Sequence, residues 1–192
     1  MSLGRNDEIR AALATMPTDH DAAGEYRPTV EQIFTPEQHA NALDPNTPVV
    51  VGSRGTGKSF WAGVLEQEAT RNVASIAYPN IGLSGLVVRA GYTGFASEGA
   101  VTPKVIDARV PKGMERDSGT DLWQAVIIRA ARSVLDESAL IEPIKEVIQS
   151  LSDPEEAVME LRRLDREIAA AQKTLLVTFD AIDTWSHDWQ RS

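Results

Sequence analysis

The positions of the apolar residues predict a strand, a glycine-rich loop and a helix in direct succession near residue 50. Residues 48–51 (Pro-Val-Val-Val) form a short apolar, β-branched run, which is typical of a strand buried on both faces. A segment with three glycines follows this run. Over residues 58–69, Trp61, Val64 and Leu65 recur at helical spacing and predict a helix with a single apolar stripe.

Three further segments are predicted to be strands. Residues 73–78 (Val-Ala-Ser-Ile-Ala-Tyr) read as the second strand, and residues 86–88 (Leu-Val-Val) as a short one. The latter lies in the glycine-rich stretch 82–99, which otherwise predicts loop. Residues 174–179 (Thr-Leu-Leu-Val-Thr-Phe) give the clearest strand pattern, and Asp180 follows directly.

Helices are predicted over about 120–136, 140–151 and 154–172. The last has the best start signal, because Asp153 suits an N-cap and Pro154 suits the first helical position. Its apolar positions, spaced three or four residues apart, are Val158, Leu161, Leu164 and Ile168. Near the N-terminus, short helices are predicted at Ile9–Met16 and from the N-cap Thr35 to Leu43.

Composition narrows the class of protein. A chain of 192 residues with 42% apolar and 24% charged residues suits one α/β domain with a full core. A net charge of −9 argues against direct binding to a nucleic-acid backbone. The chain has no cysteine, which excludes disulfides and thiolate metal sites. Because no membrane span or secretory signal is evident, the cytoplasm is the expected location.

The loop after residue 51 carries the candidate chemistry. Its residues are Gly52, Ser53, Arg54, Gly55, Thr56, Gly57, Lys58, Ser59 and Phe60. Glycines allow a tight turn whose N–H groups point inward at phosphate oxygens, and the following helix adds the positive end of its dipole. In this pattern Lys58 is expected to reach the β- and γ-phosphates, and Ser59 to place its hydroxyl on Mg²⁺. The sequence therefore predicts a site for a nucleoside triphosphate, with ATP favoured by default.

Three other polar residues are candidates for supporting roles. Asp180 stands at the carboxyl end of an apolar strand, where it is predicted to hold magnesium from the side opposite the loop, or else to cap a turn. Asp183 is either a carboxylate that orients the attacking water or a surface acid. Arg54 contacts phosphate or a neighbouring subunit, or is simply solvated. His20, His39 and His187 show no metal-ligand spacing.

The loop at 52–59 and the strand end at 179–183 resemble the Walker A and Walker B segments of bacterial AAA-like ATPases. The strings Gly-Ser-Arg-Gly-Thr-Gly-Lys-Ser at 52–59 and Phe-Asp-Ala-Ile-Asp at 179–183 are similar to the GxRGTGKS loop and FDALD strand end of a set related to STAND and KAP ATPases. The resemblance implies that Lys58 and Ser59 bind phosphate and magnesium. It also implies that Asp180 supports the magnesium ion, and that Asp183 polarises water.

The resemblance also implies a fold and an activity. The expected fold is a three-layer α/β/α P-loop domain with a mainly parallel sheet, assembling as a homo-oligomer or with a protein partner. Residues 1–47 are interpreted as an N-terminal extension and 48–192 as a partial core with a helical insertion at about 120–172. Since no sensor residue or helical lid follows the second motif, the chain is expected to be an N-terminal fragment. It should bind Mg-ATP with weak or no hydrolysis by itself.

Three alternatives remain open from the residues. A small-molecule or nucleotide kinase fits the size, with the stretch 82–99 as an acceptor site, although about fifty residues precede the loop. A GTPase is disfavoured, because neither an Asn-Lys-x-Asp nor an Asp-x-x-Gly segment follows Ser59. A regulatory module that binds nucleotide without hydrolysing it needs only the loop, because hydrolysis requires further groups at the γ-phosphate.

Overall fold

The computed structural model of the chain describes residue 10 and residues 27–53, 55–93, 99–109, 115–151 and 153–182, without the side chains of residues 115–118. These residues form a mixed α/β fold that is mostly helical and contains a two-stranded parallel sheet. In chain order the elements are α1 (Ala40–Leu43), α2 (Lys58–Glu66), α3 (Glu68–Ala77), β1 (Leu86–Tyr92), α4 (Pro103–Arg109), α5 (Glu115–Leu135), α6 (Ile144–Ser150), α7 (Pro154–Ala170) and β2 (Thr174–Phe179). Short 3₁₀ helices lie at Val30–Gln32, Glu37–His39, Leu83–Gly85 and Glu137–Ile141.

The sheet joins two strands that are far apart in the chain. β1 and β2 run parallel, beginning with Leu86 opposite Thr174. The strand predicted at 174–179 is therefore confirmed, and the short strand predicted at 86–88 continues to Tyr92. Parallel strands need a long crossover, and helices α4 to α7 provide it.

The longest helix, α5, lies at the centre of the larger of two apolar cores. It contacts both strands, α6 and α7. The fully buried residues of this core include Tyr92, Val101, Ile106, Leu122, Val126, Ile128, Val147 and Leu164. Although α5 has 21 residues, no helix in the described part of the chain combines the length and apolar character needed to cross a bilayer.

A second core lies on the other face of β1. Its buried residues are Leu43, Val64, Leu65, Ala74, Tyr78, Leu83, Leu86 and Val88. Because successive side chains of a strand point to opposite faces, Val87 packs on the first core while Val88 lies in the second. Helices therefore cover both faces of the sheet, with α2 and α3 on the side of the second core.

The strand predicted at residues 48–51 is wrong. The segment has no regular secondary structure and pairs with no strand, and Val51 is 90% exposed. Three consecutive valines favour an extended backbone, yet they form a strand only where a neighbouring strand offers its edge. In the described residues β1 and β2 pair with each other instead.

The strand predicted at residues 73–78 is also wrong, because α3 continues to Ala77. The buried face of this helix consists of Thr70, Arg71 and Ala74, whereas Ile76 is 81% exposed. Two of the three inward positions are thus polar. Because polar residues occupy the buried face, the apolar residues of α3 do not recur at helical spacing. They form a short run that resembles a strand instead.

The helix predicted to follow the loop is broken in two at Gln67, where ψ is 128°. The side chains at the start of α3 replace the missing helical hydrogen bonds of α2. Thr70 Oγ1 donates to the carbonyl of Val64 at 2.7 Å, and Arg71 Nη1 donates to that of Leu65 at 2.6 Å. These bonds satisfy carbonyl groups that a helix end otherwise leaves without a partner.

The helices predicted between β1 and β2 are present, but some of them begin or end at other residues than predicted. The prediction at 154–172 succeeds best, since α7 starts with Asp153 accepting a hydrogen bond from Glu155 N at 2.8 Å. The helix predicted at 120–136 begins earlier, at Glu115. The one predicted at 140–151 is a 3₁₀ turn followed by α6, because Pro143 cannot continue the helical hydrogen bonding between them.

The predicted N-terminal helices fare differently. Residues 9–16 lie outside the described part except Arg10, which is helical. The helix predicted from Thr35 instead starts after Pro36 as the 3₁₀ turn Glu37–His39, which runs into α1. The end of α1 brings Leu43 into the second core, so the described part of the predicted extension packs against α2 and α3.

Candidate phosphate-binding loop

The loop turns into α2 through two glycines in the left-handed conformation. Gly55 has a φ of 84° and Gly57 a φ of 82°. Residues with a Cβ rarely adopt these values, so the two positions favour glycine for a conformational reason. Gly57 is also the N-cap of α2, which begins at Lys58 as the sequence predicts.

Hydrogen bonds within the loop close it into a turn. Thr56 Oγ1 donates to the carbonyl of Ser53 at 2.8 Å, and Thr56 N donates to the same oxygen at 3.3 Å. A Cβ on Gly52 would lie 2.7 Å from Thr56 Oγ1, which is too close for any side chain. The threonine hydroxyl therefore braces the turn, and Gly52 leaves room for it.

The Lys58 side chain folds back over the loop. Its Nζ donates to the carbonyl of Gly52 at 2.6 Å and to that of Ser53 at 3.0 Å. Lys58 and both of these residues are exposed, so the ammonium group is open to solvent and to a soluble anion. The positive charge thus stands at the mouth of the turn.

The first turn of α2 provides N–H donors beside this charge. The first helical bond runs from Trp61 N to Gly57 O at 3.0 Å. The N–H groups of Lys58, Ser59 and Phe60 precede that bond, at positions where amides have no intrahelical partner. Ser59 is exposed, whereas Phe60 is half-buried against the second core. Donors, helix dipole and lysine therefore converge at one place.

Asp180 lies at the other end of α2. It follows β2 directly, and its N–H donates to Tyr92 O at 2.9 Å. Its charge is felt by Glu66, the last residue of α2. Burial raises the pKa of Glu66, Arg27 lowers it, and Asp180 raises it again. The Glu66 and Asp180 carboxyl groups, both half-buried, thus interact electrostatically near the carboxyl end of β2.

Ser59 and Glu66 are seven residues apart on one helix, which separates them by about 10 Å along its axis. Asp180 thus acts electrostatically on the residue that ends α2, whereas Ser59 lies at its start. Within the described residues, no group of three or more histidine, aspartate or glutamate side chains is arranged to hold a metal ion. Arg54 and Asp183 lie outside the described residues.

Three residues, two near the loop and one at the far end of α2, were not identified as candidates from the sequence. Glu66 carries no local signal, because its pairing with Asp180 depends on how a helix and a distant strand pack. Trp61 is predicted only as part of the apolar stripe of α2. His39 has no motif around it, yet its Nδ1 accepts a hydrogen bond from Trp61 Nε1 at 3.0 Å.

Comparison of the chain with protein-family models, curated proteins and solved structures finds no match. The function of the loop must therefore be argued from its own geometry.

Proposed function

We propose that this chain binds Mg-ATP through residues 52–60, as part of an AAA-like ATPase that hydrolyses ATP in its complete form. The observation that carries the proposal is the position of the Lys58 ammonium group. This group lies over the turn formed by the loop. Two glycines in the left-handed conformation connect that turn to the amino end of α2. A polyphosphate needs this combination of cation, N–H donors and helix dipole.

Binding would exchange the partners of Lys58. Its Nζ now bonds to the carbonyls of Gly52 and Ser53. When phosphate enters, the ammonium group would turn from these neutral acceptors to charged oxygens, which form stronger hydrogen bonds. The N–H groups of the first turn would bind the same phosphate oxygens, and the Ser59 hydroxyl would coordinate magnesium.

Hydrolysis requires more than the loop. In the proposed ATPase, Asp180 would support the magnesium ion and Asp183 would orient the attacking water. The three-layer P-loop fold proposed for the whole domain is supported by the parallel pairing of β1 with β2 and by helices on both faces of the sheet. A neighbouring subunit or another protein would supply the cationic group that the γ-phosphate needs.

A second candidate is a module that binds nucleotide without hydrolysing it. The electrostatic interaction of Asp180 with Glu66 favours this candidate, because it involves the last residue of α2 and not Ser59 at its start. In such a module the phosphate would be held by the loop alone. Binding would then depend on Lys58 and not on Asp180.

Calorimetric titration with Mg-ATP, Mg-GTP and Mg-ADP tests the proposal. Lys58→Ala should weaken ATP binding by at least tenfold, because a charge-assisted hydrogen bond contributes about 1.5–3 kcal/mol. Lys145→Ala is the matched control, since Lys145 is an exposed lysine on α6. Equal affinities of both variants, or no binding by the unmodified chain, would refute the proposal. A phosphate-release assay with Asp180→Asn then separates the ATPase from the binding module.

A further inference from the structure

A hydrogen bond joins the segment before the loop to the first turn of α2. Trp61 Nε1 donates to His39 Nδ1 at 3.0 Å in a partly buried setting. The two rings meet edge to face, with centroids 5.5 Å apart and planes at 90°. The contact therefore fixes both the position and the orientation of the indole.

This hydrogen bond requires an acceptor on His39. An indole N–H can only donate, so His39 Nδ1 is the acceptor. A side chain with a donor at the position of His39 Nδ1 could not accept the bond from Trp61 Nε1, whereas one with an acceptor at that position could.

The indole of Trp61 stands beside the loop. The backbone N–H of Trp61 donates to Gly57 O at 3.0 Å. On the open side of Gly57, the indole Cδ1 is the nearest group, 4.0 Å from the place where a Cβ would stand. Trp61 is thus bonded to the N-cap residue of α2 through its backbone, and its ring lies next to that residue.

The remaining sides of the indole are held by aromatic rings. Phe60 packs against it with ring centroids 5.7 Å apart, and Tyr78 with centroids 6.4 Å apart. The Tyr78 hydroxyl donates to Pro36 O at 2.7 Å. The segment Pro36–His39 is therefore bonded twice, once to Trp61 in the first turn of α2 and once to Tyr78, which directly follows α3.

We propose that His39 is a positioning residue for the phosphate-binding loop. Its Nδ1 holds the indole of Trp61 beside Gly57, and the backbone bond from Trp61 N to Gly57 O passes this restraint to the first turn of α2, whose N–H groups face the site where phosphate would bind. The inference rests on the proposed function for its ligand. The hydrogen bond and ring contacts that carry it do not depend on that function.

Three variants distinguish an effect of His39 on the position of the loop from an effect on the stability of the whole chain. His39→Leu removes the acceptor, whereas His39→Asn places a side-chain oxygen near the position of Nδ1 and retains it. Tyr78→Phe is the matched control, because it removes the other bond to the same segment and keeps the aromatic ring that packs against Trp61. We expect His39→Leu to weaken Mg-ATP and Mg-tripolyphosphate binding about fivefold, the effect of one lost hydrogen bond, and His39→Asn to restore affinity to within twofold.

Amide chemical shifts give a readout that needs no nucleotide. In ¹H–¹⁵N spectra of the unliganded chain, His39→Leu should move the Gly57, Lys58 and Ser59 signals, His39→Asn should return them, and Tyr78→Phe should leave them in place. Unchanged loop shifts in His39→Leu, or equal shifts in Tyr78→Phe, would overturn the inference. If the unmodified chain binds no nucleotide, the proposed function fails while these shifts still decide the role of His39.

Discussion

At the scale of single residues, the loop depends on backbone conformation as much as on charge. The φ of 82° at Gly57 and its place as N-cap let the chain turn from the loop into α2. An added Cβ at this position would meet only Trp61, at an ordinary contact distance of 4.0 Å. The requirement for glycine there is therefore conformational rather than steric.

A matched pair of substitutions tests this conclusion. Gly57→Ala should lower the free energy of unfolding by about 1–2 kcal/mol, the cost of a left-handed residue with a Cβ. Gly119→Ala should raise it by up to about 1 kcal/mol, because Gly119 lies within α5 and a Cβ there meets nothing within 4 Å. Denaturant unfolding measures both. The same sign of change in the two variants would contradict the assigned conformation of Gly57.

The loop could be predicted from sequence at this scale because its signal is local. The glycines, Lys58 and Ser59 stand at spacings that a phosphate-binding turn requires, and α2 begins where the pattern places it. Two contacts at the loop were not predictable, namely that of Lys58 with the Gly52 carbonyl and the hydrogen bond from Trp61 to His39. Both depend on side-chain orientations, and the second joins residues 22 positions apart.

At the scale of elements, the salt bridges between α5 and α7 are the clearest electrostatic feature. Glu160 on α7 bonds to Arg163 on the same helix at 2.8 Å and to Arg132 on α5 at 3.0 Å. The hydrogen bonds from Arg163 and then from Arg132 outweigh burial and lower the pKa of Glu160 to about 2. The network therefore helps to hold the crossover helices together.

This shift predicts how stability depends on pH. Because the pKa of Glu160 is lower in the folded chain than its ordinary value of 4.5, ionised Glu160 stabilises the fold above that pH. The stabilisation, about 1 kcal/mol for a partly exposed network, is lost as pH falls towards 2. Unfolding curves of Glu160→Gln should thus lie below the unmodified chain at pH 7 and converge with it near pH 2. The control variant Glu146→Gln changes an exposed residue on α6, and its stability should follow that of the unmodified chain at every pH.

The elements also show where prediction from sequence stops. α7 and β2 were predictable because each carries its own signal, a capping residue in one and an uninterrupted apolar run in the other. α3 was not, since its buried face includes Arg71, which bonds to Leu65 O on the preceding helix. Residues 48–51 look like a strand in composition, but strand formation depends on a partner elsewhere in the chain.

At the scale of the whole molecule, the two predicted magnesium residues lie on different parts of the fold. Ser59 begins α2, which packs in the second core, and Asp180 follows β2 beside Glu66. A magnesium ion held by both would link the start of α2 to the carboxyl end of β2 and would therefore restrain how α2 sits relative to the sheet. Sequence motifs could not indicate this, because they say nothing about how α2 and β2 are packed.

Distances between spin labels can detect whether this link shifts α2 and α3 against the sheet, and the absence of cysteine makes site-specific labelling simple. The pair Ile76→Cys on α3 and Glu156→Cys on α7 joins the helices of the two cores at exposed positions. If the chain is an ATPase, Mg-ATP should change this distance by several ångströms, and Asp180→Asn should abolish the change. The pair Lys145→Cys and Glu156→Cys, within the larger core, should stay constant. Tight binding with no change in either pair would mean that Asp180 remains with Glu66, and the binding module would then be the better description.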